Sequence, residues 1–328
     1  MTTTVFVSGA TGFIAQHIIK QLLEKNYHVI GSVRSTEKGD SVGKLFNSPN
    51  FSYEIVEAID NPHAFDSALE KHPEVDVFLH TASPATFESD NLEKNVLKPA
   101  IDGTKNVLSA IHAHGKNIKK VVVTSSITAL VNLRKPITST VNEQSWNDIT
   151  WEQALSNGLS AYAGSKTYAE KAAWEFVELN KPTFTLTTVN PVYVFGPQAY
   201  DSSAKGTLNV TNMIVISNLR LKEGDQVPDT VGSFVDVRDV ARAHIAAFEK
   251  DAANKRLLVT TDTFNSQKIL NVINKRFPQL NLLKGDPENT KVPNFLDNSE
   301  SQKIIGSKTI DFETSIYDTV KQYLDNNK

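Results

Sequence analysis

The sequence predicts an α/β fold in which a doubly wound parallel sheet is followed by a smaller second domain. Over the first 125 residues, short β-branched and aromatic runs alternate with longer stretches of helical spacing, a pattern typical of parallel sheets. The strand-like runs are almost entirely apolar, as strands that helices cover on both faces must be. Right-handed crossovers between successive strands then place helices on both faces of the sheet.

The predicted fold consists of six strands, two clear helices and one long loop. The predicted strands, in chain order, are Val5–Ser8, Tyr27–Val33, Phe51–Val56, Val75–His80, Lys120–Ser125 and Phe184–Val189. Between the first two, Ile14, Ile18 and Leu22 recur every four residues and form one apolar stripe of a helix. A later helix is predicted over Tyr162–Leu179. The polar stretch 126–159 before it is expected to be a long loop over the sheet edge.

Composition excludes several kinds of protein. The 328 residues include no cysteine, which excludes disulfides and thiolate chemistry and fits a reducing compartment. A net charge of −3 provides no basic surface for nucleic acid or an anionic membrane. No apolar run approaches a membrane span of ~18 residues, and the first residues do not resemble a signal peptide. No His, Asp or Glu cluster has metal-ligand spacing. We therefore expect a cytoplasmic protein with no nucleic acid, membrane or metal partner.

The first strand–helix junction carries a glycine-rich motif, Gly9-x-x-Gly12-x-x-Ala15. Gly9 permits the tight turn, Gly12 allows close approach of a pyrophosphate, and Ala15 lets the helix pack near the sheet. The free N–H groups at Phe13 and Ile14, at the positive end of the helix, then face the phosphates. Because the motif directly follows a strand and opens a helix, it predicts a dinucleotide-binding site.

This motif defines the predicted domain organisation. Residues 1–190 are expected to form an NADP-binding domain of the Rossmann type. After Pro191 the sequence changes to short helical and strand-like pieces, interrupted by Gly196-Pro197. Residues 191–328 are therefore predicted to be mainly a substrate-binding domain, with the chain crossing back to the sheet once or twice.

The end of the second predicted strand favours NADP over NAD. An acidic residue there would bind the ribose 2′-hydroxyl of NAD, whereas a cation would bind the 2′-phosphate of NADP. The chain has no acid at that strand end and instead has Arg34, followed by Lys38. Arg34 offers a planar fork to a phosphate and Lys38 a second charge, although Glu37 could neutralise Lys38.

Tyr162 and Lys166 are the candidate reacting residues. They lie one helical turn apart and share a helix face. Reduction of a carbonyl leaves negative charge on its oxygen, so a proton donor and a hydrogen-bond donor must converge there. We expect the Lys166 ammonium to lower the pKa of Tyr162 towards neutrality. Ser126, just past the fifth strand, would hold the carbonyl, and Ser125 is its nearest rival.

Other polar residues have ordinary structural interpretations. His80 is expected to be a hydrogen-bonded group beside the site rather than a catalytic base. Asp239 is predicted to cap a helix over 240–248, and His17 is expected at the surface. A second Tyr-x-x-x-Lys pair, Tyr317 and Lys321, lies in an amphipathic stretch and is interpreted as a helix face.

Longer strings resemble a known family, the extended short-chain dehydrogenases/reductases. Besides the glycine motif, Ser126 and the Tyr162–Lys166 pair, the strings that carry the resemblance are His80–Pro84, Asn142–Asn147, Lys171–Phe176, Asn190–Gln198 and Asp236–Ala241. They resemble the dihydroflavonol-reductase-like branch, in particular yeast NADPH-dependent reductases that act on methylglyoxal and isovaleraldehyde. The likeness extends over essentially the whole chain.

The resemblance implies further site residues. The pyrophosphate would be held by Gly9, Ala10, Thr11, Gly12, Phe13 and Ile14, and the cofactor cleft would be lined by Thr81, Ala82 and Ser83. The nicotinamide would be approached by Pro191, Val194 and Thr211. The substrate would be bordered by Phe87 and Tyr193. Near the adenine, these yeast reductases have an Asp-Ile pair, whereas this chain has Ala58-Ile59. Ile59 is still expected to pack on the ring.

The sequence therefore predicts a carbonyl reductase that uses NADPH and converts an aldehyde or ketone to an alcohol. Two alternatives remain open. A nucleotide-sugar epimerase or dehydratase would retain tightly bound NAD, which Arg34 disfavours. A non-catalytic NADP(H) sensor would not require Ser126, Tyr162 and Lys166. The sequence leaves the physiological substrate, the stereochemistry of the alcohol and the oligomeric state open.

Overall fold

The computed structural model describes residues 3–83 and 89–327. In the described residues the strands are β1 (Thr4–Ser8), β2 (His28–Val33), β3 (Phe51–Ile55), β4 (Val75–His80), β5 (Lys120–Thr124), β6 (Thr185–Pro191), β7 (Tyr193–Phe195), β8 (Val231–Asp236), β9 (Arg256–Val259) and β10 (Asp262–Asn265). The α-helices are α1 (Phe13–Glu24), α2 (Thr36–Phe46), α3 (Asp66–Lys71), α4 (Lys98–His114), α5 (Trp151–Ala154), α6 (Gly158–Asn180), α7 (Val210–Ser217), α8 (Val237–Glu249), α9 (Ser266–Arg276), α10 (Ser299–Ile305) and α11 (Phe312–Asn326).

The main sheet is parallel and doubly wound, which confirms the predicted fold class. Its seven strands lie in the order β3-β2-β1-β4-β5-β6-β9, and every neighbouring pair is parallel. All five residues of β1 are buried, as expected for a strand covered on both faces. The strand order reverses between β1 and β4, and ligands of such sheets bind at this position, beyond the carboxyl ends of the strands.

A second core is built on a three-stranded sheet. Its order is β10-β8-β7, with β7 parallel and β10 antiparallel to β8. Aromatic rings fill this core: the Phe195 and Phe264 centroids are 4.8 Å apart, and those of Phe234 and Phe312 are 5.1 Å apart. Between these elements the chain returns to the main sheet, where β9 pairs with β6 and α8 packs beside α1.

The strand boundaries agree closely with the sequence pattern, but the stretch 126–159 does not form one long loop. It contains α5, where Thr150 and Gln153 form a reciprocal capping box. The next helix, α6, begins at Gly158, four residues before the predicted start at Tyr162. The Asn157 side chain accepts a hydrogen bond from the backbone N–H of Ser160 at 2.9 Å, and this cap sets the earlier start.

Two predictions about individual polar residues are wrong. The side chain that caps α8 belongs to Asp236, which accepts from the N–H of Arg238 at 2.8 Å, whereas Asp239 lies buried within the first turn. His17 is buried rather than exposed, and its Nε2 lies 2.9 Å from the Pro197 carbonyl oxygen. Asp239 instead accepts from the N–H of Ile310 at 2.8 Å, so both it and His17 are buried by contacts with distant parts of the chain. None of the helices in the described residues is long and apolar enough to cross a membrane.

Three buried histidines should make the fold sensitive to mild acid. Burial lowers the pKa of His17 to about 4, of His80 to about 3 and of His244 to about 4. Between pH 6.5 and about 4 the unfolded chain therefore binds more protons than the folded chain, so stability falls as the pH falls. Each histidine contributes up to ~1.4 kcal/mol per pH unit in this window.

We predict that the free energy of unfolding in urea falls steeply between pH 7 and pH 5. His244→Gln should reduce this slope, because the uncharged amide has no proton to take up on unfolding. The matched control is His112→Gln at a solvent-exposed position of α4, which should leave the slope unchanged. An equal slope in the wild type and in His244→Gln would contradict the prediction.

Candidate active site

The first strand–helix turn is shaped by two glycines. Gly9 follows β1 with φ +73°, and Gly12 caps α1 without any side-chain hydrogen bond to the helix. The Gly9 N–H donates to the Ser32 hydroxyl at 3.0 Å, and the Gly12 N–H donates to the Gly9 carbonyl at 2.9 Å. The first backbone N–H groups of α1 thus remain available to an anion.

The ends of β1 and β4 are held together by the Ser8 hydroxyl. It accepts from the N–H groups of Thr81 and Ala82 at 3.0 and 3.1 Å, and it lies 2.9 Å from the buried His80 Nδ1. His80 is therefore a hydrogen-bonded group beside the site, as predicted. A Cβ on Gly9 would lie only 3.1 Å from the Cα and Cβ of Ala82, so the turn and the β4 end touch directly.

A cleft of about 230 Å³ opens at this edge of the sheet, and we call it the sheet-edge cleft. Nine of the predicted cofactor residues line it: Gly9, Thr11, Gly12, Arg34, Lys38, Ile59, Thr81, Ala82 and Ser83. Ser32, Val33 and Val56 line it as well, and the sequence analysis missed them. Their positions at the ends of predicted strands were the available signal.

Three of the predicted pyrophosphate residues do not line the sheet-edge cleft: Ala10, Phe13 and Ile14. Ala10 is fully buried, and its N–H donates to the Ser32 carbonyl at 2.9 Å. Phe13 and Ile14 are the first residues of α1 and are partly buried against the main core.

The cations of the cleft are exposed. Arg34 and Lys38 lie on the surface at the end of β2 and the start of α2. Within residues 3–83 and 89–327, neither side chain forms an ion pair, and Glu37 does not neutralise Lys38. Two free cations beside a backbone anion site suit a ligand with a phosphate at that position.

The end of β5 and the first turns of α6 bring together Ser126, Tyr162 and Lys166. The Tyr162 side chain is hydrogen-bonded to that of Ser126, and the Lys166 Nζ lies 6.0 Å from the Tyr162 ring centroid. Ser126 is held in place by its own turn, because its hydroxyl accepts from the N–H of Thr128 at 3.2 Å. Its rival Ser125 donates its hydroxyl to the buried Glu170 carboxylate. Only Ser126 of this pair therefore contacts the phenol.

The electrostatics of this trio differ from the expectation. Burial raises the pKa of Tyr162 above its usual value of 10, although the hydrogen bond to Ser126 opposes this shift. The expectation that Lys166 brings the pKa of Tyr162 down is therefore wrong for this structure. Burial lowers the pKa of Lys166 itself to about 8, against the attraction of Glu170. At the phenol, desolvation outweighs the hydrogen bond from Ser126.

The remaining predicted residues lie on neighbouring elements. Pro191 ends β6, Val194 lies in β7, and the Thr211 hydroxyl at the start of α7 donates to the Val194 carbonyl at 2.5 Å. Tyr193 is partly buried and close enough to Tyr162 to affect its pKa, and its ring meets Phe264 edge-on at 5.4 Å. Phe87 lies outside the described residues. No group of three metal-ligating side chains converges within the ranges 3–83 and 89–327.

Comparison with known proteins identifies the family. The model of the NAD dependent epimerase/dehydratase family matches residues 5–260. A putative NADPH-dependent methylglyoxal reductase of Candida albicans is 51% identical and covers 98% of this chain and 99% of its own length. The structure of Gre2 from Candida albicans with NADPH is 49% identical, with a TM-score of 0.96, over 99% of this chain and 100% of that one. The yeast methylglyoxal/isovaleraldehyde reductase Gre2 with NADPH is 42% identical, with a TM-score of 0.95, over 98% of both chains.

The chain thus belongs to the NAD dependent epimerase/dehydratase family, within the extended short-chain dehydrogenases/reductases. The resemblance drawn from the sequence motifs is confirmed. The relatives match along their full length, so the second core is part of the likeness as well as the main sheet.

The glycine turn provides a test of close packing. Gly9 and Gly206 have nearly the same φ, +73° and +72°, but a Cβ on Gly206 would meet nothing within 4 Å. Gly206→Ala should cost only the backbone strain of about 1 kcal/mol. Gly9→Ala should cost roughly 2–4 kcal/mol, because its methyl group also presses against Ala82. Urea unfolding measures both variants, and equal losses would refute the close approach.

Proposed function

We propose that this chain is an NADPH-dependent carbonyl reductase that converts aldehydes and ketones to alcohols. The observation that carries the proposal is the hydrogen bond between Tyr162 and Ser126, with Lys166 beside the phenol ring. The trio lies at the same edge of the parallel sheet as the sheet-edge cleft. Relatives whose names state this activity support it, and methylglyoxal and isovaleraldehyde are the first substrates to test.

The residues of the sheet-edge cleft fit NADPH. The Gly9–Gly12 turn and the uncapped start of α1 would hold the pyrophosphate, and the exposed Arg34 and Lys38 would hold the 2′-phosphate. Ile59 would pack on the adenine. Lys166, Pro191, Val194 and Thr211 would lie along the nicotinamide half, where Lys166 can donate to ribose hydroxyls. When bound, the reduced nicotinamide supplies a hydride.

In the proposed mechanism, two hydroxyls receive the carbonyl oxygen of the substrate. Ser126 donates a hydrogen bond that orients the carbonyl, and Tyr162 donates the proton that neutralises the forming alkoxide. A raised pKa keeps the Tyr162 phenol protonated at neutral pH, so the proton is present when charge develops on the oxygen. Lys166 remains largely protonated below pH 8 and stabilises the phenolate after proton transfer.

The substrate would lie between the two cores. We propose that residues 191–328 supply much of its pocket, with Tyr193 at one wall. Apolar side chains near the Ser126 turn, Leu130 and Val131, favour carbonyl compounds that are oriented by an apolar substituent. The partner is thus a small molecule. The same proposal places the reaction in the cytoplasm, which the cysteine-free sequence suits.

The proton donor is tested by Tyr162→Phe. Loss of the hydroxyl should lower kcat by roughly 10²–10⁴-fold and leave the Kd for NADPH within about twofold, because only proton donation is removed. Absorbance at 340 nm with methylglyoxal, isovaleraldehyde and a panel of diketones measures turnover.

The chain offers a matched control for this variant. Tyr317 and Lys321 have the same spacing but lie on α11, where Tyr317 stacks on Phe277 at 5.4 Å. Tyr317→Phe should retain full activity. A fully active Tyr162→Phe enzyme would refute the acid assignment, and no oxidation of NADPH by the wild type with any carbonyl compound would refute the reductase.

Cofactor preference is tested by Arg34→Ala. Loss of a charged bidentate contact should raise the KM for NADPH by roughly 10–100-fold and leave the KM for NADH nearly unchanged. Lys44→Ala is the control, because Lys44 lies on α2 outside the sheet-edge cleft. Equal effects of Arg34→Ala on both cofactors would contradict 2′-phosphate recognition.

A further inference from the structure

A fully buried carboxylate lies one helical turn beyond Lys166. Glu170 on α6 has no exposed side-chain surface, yet it accepts hydrogen bonds from five side chains. The residues that donate to it are Ser125, Trp174, Thr188, Asn190 and Arg256, and together with Glu170 we call them the Glu170 cluster. The sequence analysis assigned no role to Glu170 or Arg256, and it considered Ser125 only as the rival of Ser126.

Two bonds of the cluster lead to Ser126. The Ser125 hydroxyl donates to one carboxylate oxygen of Glu170, which fixes the residue directly before Ser126. The Asn190 Nδ2 donates to the same oxygen at 2.7 Å and to the backbone carbonyl of Ser126 at 3.2 Å. Ser126 is thus held on both sides by groups that share one carboxylate oxygen.

Arg256 on β9 completes the cluster. Its Nε donates to Glu170 at 2.6 Å, and only 9% of its side chain is exposed. Its Nη1 donates to the carbonyls of Glu143, at 3.0 Å, and Ser145, and its guanidinium lies 3.9 Å from the Trp146 ring centroid. The cation thereby balances the buried charge and anchors residues 143–146 against the same carboxylate.

We propose that Glu170 is a positioning residue for Ser126: it sets the backbone that aims the Ser126 hydroxyl at the carbonyl oxygen. The inference rests on the proposed reductase function. Glu170 does not line the sheet-edge cleft, and its bonds to Ser125 and Asn190 are the route by which it positions Ser126. Its charge also favours the ammonium form of Lys166, and a substitution at Ser125 leaves that charge in place. A hydroxyl displaced by about 1 Å is expected to cost on the order of 10²-fold in rate, because hydrogen-bond catalysis depends steeply on geometry.

The test is a double-mutant cycle with Ser126→Ala. We expect Glu170→Gln to lower kcat by about 10–100-fold while the Kd for NADPH, measured by its fluorescence, stays within about twofold. In the Ser126→Ala background the same change should cost less than about threefold, because no hydroxyl is left to aim. Asp239→Asn is the matched control: this buried carboxylate on α8 pairs with Arg242 and the Ile310 N–H and has no bond to the Glu170 cluster, so kcat should be unchanged.

A second variant covers the case in which Glu170→Gln does not fold. Ser125→Ala removes a single bond of the cluster and keeps the ion pair, and it should lower kcat several-fold only when Ser126 is present. The inference would be overturned if the losses of kcat from Ser126→Ala and from the second substitution simply multiplied in the double variant. A folded Glu170→Gln enzyme with full kcat would overturn it as well. Either result would leave the reductase function intact. An inactive wild type would overturn both.

Discussion

The parallel direction of the main sheet places every strand end at one edge, and the whole site depends on this constraint. Gly9 follows β1, Arg34 follows β2, Thr81 follows β4, and Ser126 follows the end of β5. Residues that are far apart in sequence therefore meet without any special loop. The start of α6 lies at this edge, which places the Tyr162 side chain within hydrogen-bond distance of Ser126.

The polar groups at this edge are of two kinds: buried groups that have partners inside the protein, and exposed cations that do not. Buried groups are satisfied inside the protein: Ser8 holds His80, and Arg256 holds Glu170. Exposed cations at the sheet-edge cleft, Arg34 and Lys38, have no acidic partner in the described ranges 3–83 and 89–327. A buried charge without a partner is costly, whereas an exposed one is not. The buried, paired groups therefore maintain the geometry of the site, and the exposed cations are free to bind a ligand.

Desolvation also determines which form of each reacting group is present. It raises the pKa of Tyr162 and lowers that of Lys166 to about 8, so the pair consists of a phenol and an ammonium at neutral pH. Such a pair suits the donation of a proton to an oxygen on which charge is growing. Lys166 then has more effect on the phenolate formed after transfer than on the resting phenol, because only the phenolate carries a charge.

The sequence by itself determined the positions of β1 to β6, the glycine turn, the cations after β2 and the Tyr162–Lys166 spacing, because each is a local pattern with a local cause. It did not predict β7 to β10. The roles assigned to individual residues stay predictions. Only the tertiary structure distinguished the role of Ser126 from that of Ser125 and showed that His17 is buried. It alone showed that Glu170 and Arg256 belong to one cluster. These features depend on partners up to 180 residues away in the chain. Burial and long-range hydrogen bonds exist only once the sheet has brought such partners together.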